Sequence, residues 1–128
     1  MTAPHGIVLF GHGARDPAWA GPMQRTAARM AELSPGVPVE LAFMEFIAPV
    51  LDVAVDRLVA RGVTRISVVP VFLAQGGHLK RDVPALVSAA AARHDGVTVE
   101  LVTAAGEAPA VIDAIAVYAL ACLAIPEA

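Results

Sequence analysis

Short unbroken apolar runs alternate along this chain with longer stretches in which apolar residues recur every three or four positions. Residues 6–10 form the first run, ending in Gly11-His12-Gly13, and its β-branched content fits a central strand buried on both faces. Residues 17–33 have helical spacing through Trp19, Met23, Ala27, Met30 and Leu33, with Pro22 either kinking the helix or marking its first turn. Gly36 closes this segment. A strand over 37–44 leads to Glu45, then to a helix over 49–60 that Gly62 terminates. A third strand over 66–73 contains Pro70, which cannot donate a ladder hydrogen bond, so its regular part is expected to end there. A wide loop carrying His78, a helix over 79–93, a strand over 97–102 and a helix over 107–123 complete the pattern.

Four strand-helix units require right-handed crossovers and a parallel sheet with helices on both faces. The economical strand order is 2-1-3-4, an α/β arrangement whose topological switch lies between strands one and three. His12 and His78 follow those two strands. The last helix is apolar nearly all round beyond Asp113, more than a helix lying on one sheet face needs. A subunit contact over its second face is the expectation.

Composition narrows the partners. With 128 residues the chain is expected to form a single domain, 1–128. Its 57% hydrophobic content, carried by Ala, Val and Leu with 5% aromatics, exceeds the roughly 45–50% usual for soluble domains and points to an oligomer. Residues 114–126 are the most apolar stretch but fall short of the roughly 20 residues of a membrane span, so they read as a buried helix and no membrane partner is expected. No basic segment leads into an apolar core at Met1-Thr2-Ala3-Pro4-His5, so a cytoplasmic location is the expectation. Cys122, the single cysteine, excludes an internal disulfide or cysteine-rich metal cage and is expected to be buried. A net charge of -3, with nine Lys and Arg spread thinly, leaves no basic face for nucleic acid.

The candidate chemistry lies at the carboxyl edge of the sheet. His12 sits in Gly11-His12-Gly13-Ala14-Arg15-Asp16 and His78 in Gly76-Gly77-His78-Leu79-Lys80-Arg81-Asp82, while Glu45 projects from the end of a third strand. Two imidazoles and a carboxylate suit divalent zinc, iron, cobalt or nickel, and the flanking glycines allow close approach. Glu45 reads equally well as a solvated residue capping the next helix. Asp82, four residues after His78, shares its helical face and could orient the imidazole; helix N-terminal charge stabilisation is the simpler reading. Arg15, Lys80 and Arg81 bracket the histidines and could hold anionic substrate groups, although each alone reads as a solvated charge. His5 and His94 fall away from this edge and read as structural. Asp16 replaces the third glycine of a dinucleotide fingerprint, and there is no P-loop lysine and no Gly-x-Ser-x-Gly.

At these residues the chain resembles the sirohydrochlorin chelatases of the small CbiX type, members of the class II chelatases. The resemblance runs over Leu9-Phe10-Gly11-His12-Gly13-Ala14-Arg15-Asp16-Pro17, Phe43-Met44-Glu45-Phe46 with Pro49, and above all residues 70–78 (PVFLAQGGH) continuing to Asp82-Val83-Pro84. It implies a lyase that inserts a divalent cation, cobalt or iron and possibly nickel, into sirohydrochlorin during cobalamin or sirohaem synthesis. It further implies that His12 and His78 bind metal and act in catalysis, with Glu45 the nearby carboxylate, and that no organic cofactor is needed. Arg15, Lys80 and Arg81 would engage the carboxylates of the tetrapyrrole. Ala14 departs from the family, which commonly has serine there. Larger members carry two such domains facing a cleft, which a homodimer of this chain would restore. Two other classes remain: a non-catalytic metal or tetrapyrrole carrier, and a metal-dependent hydrolase, which wants a fuller ligand set than three candidates.

Overall fold

The computed structural model describes residues 4–124, the side chains of His78 and Ala124 excepted. Four parallel strands, β1 (His5–Gly11), β2 (Val39–Phe43), β3 (Arg65–Pro70) and β4 (Thr98–Leu101), form one sheet in the order β2-β1-β3-β4. The expected order and the parallel sense therefore hold. β1 lies between β2 and β3, with Leu9 opposite Leu41 on one side and Val69 on the other. Its continuous apolar run follows from that position, because alternate residues must enter two separate cores.

Val8 and Phe10 enter the larger core with Ile66, Val68 and Ala42, closed by Leu51, Ala54, Val55 and Leu58 of α2 (Leu51–Ala60) and by Val83, Val87 and Ala90 of α3 (Gly77–Ala92). Leu9 enters the smaller core on the opposite face with Phe43, Ala20 and Met23, closed by α1 (Gly21–Leu33). Pro22 stands in the first turn of α1, where its missing N–H has no helical partner to lose; a separate 3-10 turn, Pro17–Ala20, precedes it. β3 ends at Pro70 as its chemistry requires.

Three expectations need correction. The backbone of His78 lies in the first turn of α3, not in the preceding loop, because the helix begins at Gly77. The last helix, α4 (Pro109–Ala121), buries none of its residues: Val117, Tyr118 and Leu120 are 68%, 75% and 66% exposed. The open strip of sheet on the α1 side carries His5, Arg65, Ser67 and Glu100, joined by a 2.7 Å His5–Ser67 hydrogen bond and a 3.0 Å Arg65–Glu100 ion pair, and so offers an apolar helix no seat there. Cys122 is correspondingly exposed, its thiol donating to the Tyr118 carbonyl. Residues 125–126, part of the stretch read as buried, lie outside the described residues.

Candidate metal centre

β1 and β2 keep pairing after their regular strands end, and this builds the site. The Met44 N–H donates to the Gly11 carbonyl at 3.0 Å and the Glu45 N–H to the His12 carbonyl at 3.2 Å. Gly13, at φ +93°, then turns the chain so closely past its neighbour that a β-carbon there would overlap the Glu45 carbonyl oxygen. Two loops from different strands are thus held backbone to backbone.

The consequence is a side-chain pair. His12 Nε2 lies 3.1 Å from Glu45 Oε1, with the two side chains 49% and 52% exposed. An ionised carboxylate only accepts, so in this pair the imidazole N–H donates. Of the two readings of Glu45, the helix-capping one does not hold: α2 begins at Leu51, after Val50, with no side-chain cap.

Around the pair, Arg15 lays its guanidinium over the Phe46 ring, 5.1 Å from the centroid. Asp16 takes a structural part, its Oδ1 accepting from the Ala18 N–H at 2.9 Å at the start of the 3-10 turn. Two apolar clefts flank the strand ends. One, of about 350 Å³, is lined by Ala18, Trp19, Pro22, Met23 and Val71; the other, of about 200 Å³, by Phe10, Phe43, Met44, Val50 and Leu86 among others. The first opens where β1 and β3 end, the switch point of the sheet.

The structure brings His12, Glu45 and Arg15 to one neighbourhood. Lys80 and Arg81 lie exposed in the opening turns of α3 with the backbone of His78, whose imidazole lies outside the described residues. Among the described residues no group of three His, Cys, Asp or Glu side chains converges as a ready metal cage. Asp82, half-buried on α3, has a partner of its own. His94 lies elsewhere, 2.6 Å from Asp56, which Arg93 also meets at 2.6 Å. Hydrogen bonds from Arg93 and then His94 hold the Asp56 carboxyl below its ordinary range. The Arg15–Phe46 stack was not foreseen: its signal was the aromatic residue directly after Glu45.

The parallel sheet in this order, with a histidine and a carboxylate meeting at adjacent strand ends, is an α/β domain of the kind found in solved CbiX structures. The chain belongs to the CbiX family, whose model matches residues 6–118. It is 41% identical over 81 residues to a sirohydrochlorin cobaltochelatase of Methanopyrus kandleri, covering 63% of this chain and 57% of that protein. The match thus spans less than two thirds of the relative's length. A Marinobacter aquaeolei protein assigned as a cobalamin (vitamin B12) biosynthesis CbiX protein is 37% identical, with a TM-score of 0.82, covering 94% of this chain and 98% of that one. The sirohydrochlorin chelatase SirB of Bacillus subtilis, solved with cobalt, is 25% identical with a TM-score of 0.67, covering 76% of this chain and 42% of its own.

Proposed function

We propose that this protein inserts a divalent metal, cobalt or iron and by the same donor chemistry nickel, into sirohydrochlorin, with His12 and Glu45 receiving the ion. The observation that carries this reading is the 3.1 Å separation of His12 Nε2 and Glu45 Oε1. Ligands about 2.0–2.2 Å from a metal at tetrahedral to octahedral angles stand roughly 3 Å apart, so one cation fits between the two atoms without moving either loop. Its entry displaces the proton they share.

Insertion then runs as an exchange. As the ion passes from the imidazole and carboxylate to the macrocycle nitrogens, one of the two departing pyrrole protons replaces it on the His12–Glu45 pair. His78 is the third proposed ligand and the acceptor for the other proton, which is then lost to solvent. Arg15, Lys80 and Arg81 hold carboxylates on the rim of the tetrapyrrole. No organic cofactor enters this scheme, since two N–H bonds are exchanged for metal–nitrogen bonds with no change in oxidation state of metal or macrocycle.

The working form is a homodimer of single-domain chains. The apolar surface of α4 is a large patch for a lone protein, and the match to this chain takes up 42% of the SirB chain, which leaves room there for a second domain of similar size that a second copy would supply. Cytoplasmic residence belongs to the same proposal; among the described residues no helix is long and apolar enough to cross a membrane.

The test is metallation followed by absorbance, mixing metal-free sirohydrochlorin with cobalt or ferrous ion. His12→Ala and His78→Ala are each expected to lose most of the rate over the uncatalysed background, on the order of a hundredfold or more. Wild-type rates in both would overturn the assignment. Stoichiometric binding without acceleration by the wild type would establish a carrier instead.

A further inference from the structure

Beside the metal-binding pair, Phe46 combines two properties that a loop residue rarely joins. Its backbone is left-handed, φ +67°, a conformation that an aromatic residue adopts at a cost and a glycine would adopt freely. Its side chain is 58% exposed, so the burial that normally compensates such a residue is absent. The next residue, Ile47, packs into the smaller core, which fixes the loop and turns Phe46 outward. Arg15 covers one face of the ring and holds its orientation.

We propose that the open face of Phe46 is a stacking surface for the flat conjugated ring of the tetrapyrrole, a positioning role that rests on the chelatase reading above. The geometry suits that ligand class. A planar π-system lying against the ring would sit directly above the residue that follows Glu45, presenting its central nitrogens near the His12–Glu45 pair. Arg15, a cation already stacked on the opposite face, places a forked donor within reach of a carboxylate at the rim of the same molecule. Ring and guanidinium together match a disc that is apolar on its faces and anionic at its edge.

Phe46→Gly separates this role from a structural one, because it removes the ring while relieving the left-handed backbone. The variant is expected to melt at or above the wild-type temperature, to bind cobalt(II) alone as the wild type does, and to bind metal-free sirohydrochlorin roughly tenfold more weakly, read by fluorescence quenching. In metallation assays the loss should fall on KM, with kcat changed by less than about twofold. Phe46→Trp, which keeps a flat face, should restore most of the affinity, and Phe46→Leu, which keeps only bulk, should not. Sirohydrochlorin affinity within about twofold of wild type in Phe46→Gly would overturn the proposal, as would a parallel loss of cobalt binding, which would mark Phe46 as a shaper of the Glu45 loop. If the wild type bound sirohydrochlorin through Phe46 yet inserted no metal, the stacking role would stand and the chelatase reading would fall.

Discussion

Gly13→Ala should be far more damaging than an equivalent change at another left-handed glycine, and the comparison isolates the contact on which the site depends. Gly13 and Gly36 have nearly the same conformation, φ +93° and +96°. A β-carbon at Gly36, in the turn after α1, meets nothing within 4 Å, whereas one at Gly13 overlaps the Glu45 carbonyl oxygen. Alanine at either position has a left-handed penalty of about 1–2 kcal/mol, and the smaller entropy of the unfolded chain offsets part of it equally in both. At Gly13 the overlap must also be relieved by pushing backbone away from backbone, which adds about 1–3 kcal/mol, the range found for overpacked interiors. Gly13→Ala should therefore lose roughly 1–4.5 kcal/mol, a large share of the 5–15 kcal/mol typical of a domain. Urea unfolding gives both values for a domain of this size. Metallation measured under folding conditions should show Gly36→Ala at wild-type rate and Gly13→Ala slowed at least about tenfold, since the displaced carbonyl carries the Glu45 side chain away from His12. Equal stability losses for the two variants, or a normal rate in Gly13→Ala, would show that the close approach does not hold the site.

The remaining predictions concern surfaces away from the candidate metal centre. Arg93 and His94 depress the Asp56 pKa in the folded protein, so Asp56 contributes stability above its unfolded value, and that contribution is lost as pH falls through the folded value. Asp56→Asn should accordingly lower the melting temperature at pH 7 but converge with the wild type in strong acid; a pH-independent difference would refute the linkage. Leu120→Glu on α4, a position 66% exposed, should leave the fold intact and abolish self-association in sedimentation velocity at micromolar concentration. A wild type that sediments as a monomer throughout would remove α4 as a subunit contact.

The sheet was legible because strand periodicity and glycine punctuation agree at every turn. Residues 6–10 must be doubly buried, Gly62 carries the left-handed φ of +87° that ends α2, and Pro70 stops β3. What could not be read was where α4 goes. Its apolar surface says that it must be covered, but the polar face that gives it no apolar seat, Arg65, Ser67 and Glu100, is assembled from two different strands. Their common face becomes visible only once β3 and β4 are paired in register, with Ser67 beside Glu100. The same limit applies at the site. His12 and Glu45 were each placed at a strand end, but their meeting depends on the β1–β2 ladder running on past Gly11 and Phe43, which hydrogen bonds show and spacing does not.

The exposure of the pair bears on its chemistry. A structural metal site surrounds its ion with four ligands and excludes solvent, because its task is to retain the metal. On the proposed reading His12 and Glu45 would supply two donors, each about half exposed at the rim of the sheet. An ion held there would keep open coordination positions on the outward side, where the nitrogens of an approaching macrocycle could replace water before the protein ligands are released. The hydrogen bond that closes between the two side chains once the metal has gone then favours departure, since the vacated donors are paired by a proton instead of being left facing each other. Open coordination at an accessible edge is therefore what the proposed transfer requires, and burying the pair to tighten its grip would slow that step.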